Sequence, residues 1–224
     1  MLAFKNVTKS FRLDHENTIT PVRDVSLEIE EGEFIVVIGR SGSGKTTLLN
    51  LAAGLVRPTS GRVTIDNSDL AGMTDKQVSS LRSREIGFVF QFPSLIPALT
   101  VRDNVSLPAI FANGKGKDAG TRAARLLDTL GLAGRMDVYP KQLSAGEQKR
   151  AILARSLINQ PRLVLADEPT SDLDNRTESE VMSILRDVNS KGVTFLIVTH
   201  SLELMAFATR AFEMENGILR SVTR

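Results

Sequence analysis

The chain of 224 residues has no cysteine. Disulfides and thiolate metal sites are thereby excluded, and a reducing compartment is the natural setting. Charge of one sign is not in excess either, because 28 basic residues face 26 acidic ones. So even a balance, with no basic run interleaved with aromatics, argues against nucleic acid as a partner. No hydrophobic run approaches the length of a membrane-spanning helix. The opening residues Met1, Leu2, Ala3, Phe4 and Lys5 lack the basic segment, apolar run and small-residue cleavage site of a signal peptide. A cytoplasmic chain is expected. A hydrophobic content of 42% suffices for one substantial core with a smaller lobe attached, and two full domains would be cramped.

Against these absences stand three short words in a fixed order: GRSGSGKT at 39–46, LSAGE at 143–147 and LVLADE at 163–168. The first places Gly39, Gly44, Lys45 and Thr46 in the GxxxxGKT spacing, after the apolar run 34–38 and before a helical pattern. That is the context of a phosphate-binding loop. Glycines let backbone N–H groups turn inward around phosphate oxygens, the new helix directs its positive end at them, and Lys45 supplies a compact charge. The Thr46 hydroxyl is then placed to ligate Mg2+. Leu48, Leu51, Ala52 and Leu55 follow at helical spacing, which predicts a helix with its inner face against a sheet.

Strand-like segments run at 2–7, 25–29, 34–38, 62–65, 86–90, 163–165 and 195–198. Those that are apolar throughout read as buried on both faces. Ala123, Leu126, Leu127 and Leu130, and later Val181, Ile184, Leu185 and Val188, repeat at helical spacing. Thr74 and Gln77 form a capping-box pattern, and 212–220 read as a hairpin on an Asn216, Gly217 turn. Residues 113–120 read as a flexible surface loop. The stretch 92–142 holds helical patterns and no convincing strand, so a helical lobe is expected there, at approximately 92–150, inserted into a core made of 1–91 and 151–224.

In the third word, Asp167 and Glu168 end an apolar strand, where open α/β sheets place their ligand-handling groups. An aspartate there can hold Mg2+ through water, and the adjacent glutamate can accept a proton from an attacking water. In the middle word, Ser144 and Glu147 satisfy the S-x-x-E capping box before Ala151, Ala154 and Ile158. A serine N-cap, a glycine and a helix N-terminus also make a second anion site.

Set between the other two words, the run LSAGEQKR at 143–150 resembles the signature of ATP-binding cassette (ABC) ATPases, usually LSGGQ. The resemblance extends over nearly all of the chain. It implies an α/β fold with a P-loop NTPase core, a mostly parallel sheet flanked by helices, an N-terminal antiparallel β region and an inserted helical subdomain. It also implies a head-to-tail dimer holding two ATP, each between the phosphate loop of one copy and the signature of the other. Carried over by matching position, Gly39, Arg40, Ser41, Gly42, Ser43, Gly44, Lys45, Thr46 and Thr47 would bind ATP, with Ser144, Ala145, Gly146 and Glu147 acting in trans. Phe11 would stack on adenine. Gln91 resembles the Q-loop residue that touches Mg2+, beside Thr46 and Asp167, and His200 the switch histidine. Ser171, Asp172, Leu173 and Asp174 resemble the D-loop. Glu168, His200, Gln91 and Lys45 are the expected catalytic set.

Longer matches, GFVFQF at 87–92 with Leu95, Ile96, Pro97, Leu99, Thr100, Asn104, Val105, Leu107 and Pro108, resemble the lipoprotein-release, macrolide-export and FtsE-like branch. That branch drives a separate permease, possibly of FtsX or MacB type, from the inner face of the membrane. Phe92, Leu95, Ile96 and Leu99 are candidates to line the groove for its coupling helix, or to be lobe core. Three positions depart from the pattern: Ala145 for a glycine, Asp172 for a small or amide residue, and Ser201 for an aspartate. A β-carbon at 145 would restrict a positive φ or crowd a partner's phosphate, which motivates an alternative, a nucleotide-dependent regulator with little hydrolysis. A guanine-reading word, a second cassette and a coiled-coil insertion are all lacking.

Overall fold

The computed structural model describes residues 1–14, 17–91, 95–113 and 118–222. In chain order the elements are β1 (Leu2–Arg12), β2 (Thr18–Ile29), β3 (Phe34–Ile38), α1 (Lys45–Ala52), β4 (Ser60–Ile65), β5 (Ser68–Asp69), α2 (Asp75–Glu85), β6 (Ile86–Val89), α3 (Val101–Asn113), α4 (Ala119–Thr129), α5 (Ala145–Leu157), β7 (Leu163–Asp167), α6 (Asn175–Asn189), β8 (Thr194–Thr199), β9 (Arg210–Glu215) and β10 (Ile218–Val222). They form a six-stranded sheet in the order β10-β9-β3-β8-β7-β6 and a four-stranded one in the order β2-β1-β4-β5.

Every residue of β3, β7 and β8 is buried, as their unbroken apolar runs require. Because side chains alternate across a strand, these strands feed two separate cores. Phe34, Val36, Val164, Ala166, Phe195 and Ile197 face α3, α4, α5 and α6. Their neighbours Ile35, Val37, Leu163, Leu165, Leu196 and Val198 face α1 and the four-stranded sheet. The parallel pairings β3–β8, β7–β8 and β6–β7 keep all these carboxyl ends at one edge. The phosphate loop, Asp167 and His200 therefore converge there.

The second sheet is the expected N-terminal antiparallel region, with β1 pairing β2 and β4. Its strands run longer than their apolar alternation, because bulges let β1 continue past Phe4 to Arg12. One helical expectation is overturned: α1 ends at Ala52, and Leu55 lies beyond it, 48% exposed. The chain turns through Gly54 at φ +62°, a left-handed conformation that stops the helix before Leu55 can join its inner face. The predicted capping box of α2 is present on Thr74 and Gln77. The terminal hairpin turns on Asn216 and Gly217, both at positive φ.

Among the described residues, the stretch from 95 to 142 contains helices and no strand. Helix α5 runs to Leu157, so the expected limit of a lobe at 150 falls inside a helix. The loop expected at 113–120 has its centre, 114–117, outside the described residues, and its ends belong to α3 and α4.

Candidate functional site

The phosphate loop leaves buried β3 and enters α1 through Gly44 at φ +110°. A β-carbon on Gly44 would sit 1.8 Å from the Pro21 carbonyl oxygen, so only glycine fits. Gly42, at φ +78°, has open space where its β-carbon would project. The start of α1 has neither a side-chain cap nor an acidic residue in its first turn. Its orphan N–H groups are thus left for an outside acceptor. The Ser43 hydroxyl is buried and finds no hydrogen-bond partner among the described residues. Lys45 Nζ donates to the carbonyls of Gly39, at 2.6 Å, and Arg40, at 3.1 Å. Burial pulls its pKa down, opposed by the charges of Glu168 and Asp167. Such a cradle, with a desolvated cation inside it, suits a polyphosphate. Arg40, Ser41 and Gly42 are exposed at its rim, and Thr47 is half-buried.

Thr46 Oγ1 donates to Asp167 Oδ2 at 2.8 Å. Burial raises the Asp167 pKa, with the Thr46 hydrogen bond and Lys45 opposing and Glu168 adding to the rise. A carboxylate so placed gains from a nearby cation. No group of three or more His, Asp or Glu side chains able to hold an ion exists among the described residues. Thr46 and Asp167 are oxygen donors of the kind a hard divalent ion takes, and would hold one between them.

Glu168 is buried and adopts φ +48°, a strained conformation for a non-glycine residue. Its N–H donates to the Val198 carbonyl at 2.9 Å, fastening it to β8. Thr199 Oγ1 donates to Oε2 at 2.9 Å, and His200 Nδ1 lies 3.0 Å from the same oxygen. Oε1 has no hydrogen-bond partner among the described residues. His200 itself is largely exposed, with Ser201 next to it. The exposed side chain of Gln91 makes no hydrogen bond to Thr46 or Asp167, although the Gln91 carbonyl accepts from Lys149 at 3.3 Å. Phe11, half-buried near the end of β1, has Lys9 Nζ 4.7 Å from its ring centroid.

The start of α5 is built differently. Ser144 and Glu147 form the predicted capping box: Glu147 N–H donates to Ser144 Oγ at 3.3 Å, and Ser144 N–H to Glu147 Oε2 at 2.7 Å. Arg135 Nε donates to the other carboxylate oxygen at 3.0 Å. The Glu147 side chain is thus turned back on its own chain. Its pKa is lowered, chiefly by the Ser144 N–H. One expectation changes here and one residue gains a packing role. Ala145 begins the helix and is not among the residues at positive φ, so its β-carbon strains nothing, and it lies exposed. Gly146 is buried, and a β-carbon there would meet Thr177 Cγ2 at 2.5 Å. Its lack of a side chain serves α5–α6 packing, leaving its N–H as its means of meeting an anion. Among the described residues, no hydrogen bond or ion pair joins the Ser144 end of α5 to the phosphate loop within one chain.

The D-loop candidates lie between β7 and α6. Ser171 Oγ donates to the Glu168 carbonyl at 3.1 Å, Asp172 is exposed at φ +64°, Leu173 is half-buried, and Asp174 caps α6 by accepting from the N–H groups of Arg176 and Thr177. Two residues near the site were not predicted. Thr199, read only as the end of a strand, holds the Glu168 carboxylate, and Lys149, inside the capped helix, reaches both the loop after β6 and the connection after β7.

The groove-or-core alternative for Phe92, Leu95, Ile96 and Leu99 divides by residue. Leu95 is core, only 7% exposed, while Phe92 lies outside the described residues. Ile96 is exposed and Leu99 half-buried. An open apolar groove of about 550 Å3 lies instead between α2, β6, α3 and α5, lined by Phe88, Phe90, Leu107, Pro108 and Phe111 among others. Phe111 is 80% exposed. Periodicity marked Leu95 as apolar without revealing that α3 packs over it.

Comparison with known proteins accords with this geometry. The ABC transporter family model matches residues 22–171. The lipoprotein-releasing system ATP-binding protein LolD of Alcanivorax borkumensis is 39% identical, over 98% of this chain and 96% of its own length. The macrolide export ATP-binding/permease protein MacB of Rhodopirellula baltica is 40% identical over the whole chain, which spans 33% of that longer protein. Among solved structures, an ATP-binding cassette in a dimeric post-hydrolysis state bound to ADP and phosphate superposes with a TM-score of 0.91, at 38% identity and full coverage of both chains. With its phosphate cradle, its paired acids at the strand end and its capped signature helix, the chain belongs to the ABC transporter family, as an ATP-binding and ATP-hydrolysing cassette.

Proposed function

We propose that two copies of this chain close head-to-tail around two ATP molecules and that the cycle drives a separate membrane permease from the inner face of the membrane. The observation that carries the reading is the Glu168 carboxylate. Oε2 accepts from Thr199 and has His200 Nδ1 beside it, so Oε1 is the atom left to take a proton from the attacking water. The 39–46 loop, Thr47 included, cradles the phosphates, and Phe11 stands at the adenine. Lys45 exchanges its two carbonyl acceptors for phosphate oxygens and offsets their charge. Thr46 and Asp167, through water, and Gln91 would hold Mg2+, which supplies charge neutralisation of the phosphate oxygens. Ser144, with the N–H groups of Ala145 and Gly146, meets the partner's ATP, and Glu147 keeps that helix end capped. Ser171, Asp172, Leu173 and Asp174 face the dimer partner. His200 also contacts the terminal phosphate.

Helices α3 and α4 with the start of α5, approximately 92–150, form a helical subdomain on the core. The groove containing Phe90, Leu107 and Phe111 receives the permease, since an exposed apolar patch of this kind marks a contact surface. The longer MacB-like and LolD-like matches favour a partner of FtsX or MacB type. The regulator alternative loses the backbone half of its motive, because Ala145 is not at positive φ.

Replacement of Glu168 by Gln should retain ATP binding, lower turnover by about 10²–10⁴-fold and accumulate an ATP-bound dimer on gel filtration. Wild-type turnover in that variant would remove Glu168 from the role.

A further inference from the structure

Lys149 is 6% exposed, yet it carries an ammonium group that the hydrolysis scheme leaves without work. Its Nζ donates to the Gln91 carbonyl at 3.3 Å, to the Glu168 carbonyl at 3.4 Å and to Ser171 Oγ at 3.2 Å. These acceptors belong to two segments far apart in sequence: Gln91 in the loop after β6, and Glu168 and Ser171 in the connection between β7 and α6. Three acceptors match the three donors of an ammonium group, which is how a buried cation is tolerated. Burial pulls its pKa down, while the negative charges of Asp172 and Glu168 oppose that shift. The same Glu168 carbonyl also accepts from Ser171 N–H at 3.2 Å and Ser171 Oγ at 3.1 Å. A carbonyl gripped by three donors belongs to a residue whose φ of +48° must be held against its own preference.

Lys149 stands one helical turn beyond Ala145, on the helix whose first turn is the signature. A short helix moves as a rigid body, so any displacement of its N-terminus carries Nζ with it. We propose that Lys149 is a positioning residue that ties the signature end of α5, which meets the partner's ATP, to the backbone of Glu168 and Gln91 at the chain's own site. Closure on one nucleotide thereby sets the base for the other. The proposal rests on the head-to-tail reading given above.

The test uses the full chain carrying Lys149→Met, which keeps the stem and removes the donors, and Lys149→Gln, which restores an amide donor. Turnover of ATP, binding of a fluorescent ATP analogue and thermal melting are measured together. Lys149→Met should lower kcat about tenfold, the loss of a charged hydrogen bond, with analogue binding within about twofold of wild type. Lys149→Gln should recover part of that loss. Placed in the Glu168→Gln background, Lys149→Met should still dimerise with ATP, because the tie acts on the base after closure. Unchanged kcat in Lys149→Met overturns the proposal. So does a parallel fall of binding, dimerisation and melting temperature with no recovery in Lys149→Gln, which would mark a residue that only holds the fold. If Lys149→Met does not fold, Ser171→Ala decides: a few-fold loss of kcat with binding retained supports the tie, and wild-type kcat overturns it. A wild-type chain that binds the analogue but neither dimerises nor turns over would instead sink the head-to-tail reading.

Discussion

The two helix N-termini to which the proposed cycle assigns an anion are built in opposite ways. Helix α1 begins at a left-handed glycine with no side-chain cap and no acid in its first turn. Its N–H groups face an outside acceptor, and Lys45 waits on two backbone carbonyls. Helix α5 is closed by its own capping box, with Glu147 tied to both Ser144 and Arg135. The first end is incomplete until a phosphate arrives. The second is stable alone and has only its outermost groups, Ser144 and the adjacent N–H groups, to offer a second molecule. An obligatory ligand site is thus distinguished from a docking site by what the chain leaves unsatisfied.

The sharpest way to break this comparison is to disable each end in a different subunit. Lys45→Ala alone should abolish ATP binding and turnover, and Ser144→Arg alone should abolish turnover while leaving binding to the free chain intact. Mixed, the two variants can form a dimer with one intact composite site, and activity should return as the ratio approaches equality. If no activity returns at any ratio, the signature does not act across the dimer.

A smaller effect separates cap from ligand site. Ser144→Ala removes the N-cap hydroxyl of α5 and should cost about 1 kcal/mol, lowering the melting temperature by about 2–4 °C. ATP binding to the isolated chain should not change with it. A loss of binding in step with stability would mean that the two ends are not independent.

The smallest effect is one of pH. In the folded chain the Ser144 N–H holds the Glu147 carboxyl below its ordinary value of 4.5. A depressed carboxyl pKa contributes stability that is present above the unfolded value and lost as pH falls through the folded one. The difference in melting temperature between wild type and Glu147→Gln should therefore be steady at neutral pH and shrink only below about pH 4.5. A difference independent of pH would assign the cap to geometry and not to charge.

Much of this was legible before any coordinates, and what was missed shares one cause. The phosphate loop, both capping boxes and the terminal hairpin depend on residues two to seven positions apart, so spacing alone reveals them. Thr199 and Lys149 escaped because each acts through a neighbour distant in sequence. Nothing in a strand-ending threonine announces that its hydroxyl will hold Glu168. Leu95 was read as a possible groove residue because an apolar side chain looks the same in sequence whether it is covered or bare, and only the packing of α3 decided it. Leu55 fitted the helical period of α1 but lay past a left-handed Gly54.

The sequence by itself determined the local chemistry: a glycine loop able to turn N–H groups inward, a lysine and a threonine at fixed offsets, two acids ending an apolar strand, and a serine-capped helix. Such features follow from covalent connectivity and short-range hydrogen bonding. Tertiary structure alone decided which oxygen of Glu168 accepts from Thr199, that Gly146 makes room for Thr177, that the apolar groove includes Phe90 and Phe111, and that one buried lysine joins two loops. Each of those depends on which strands pair and which helices cover them, a choice set by burial of the whole core.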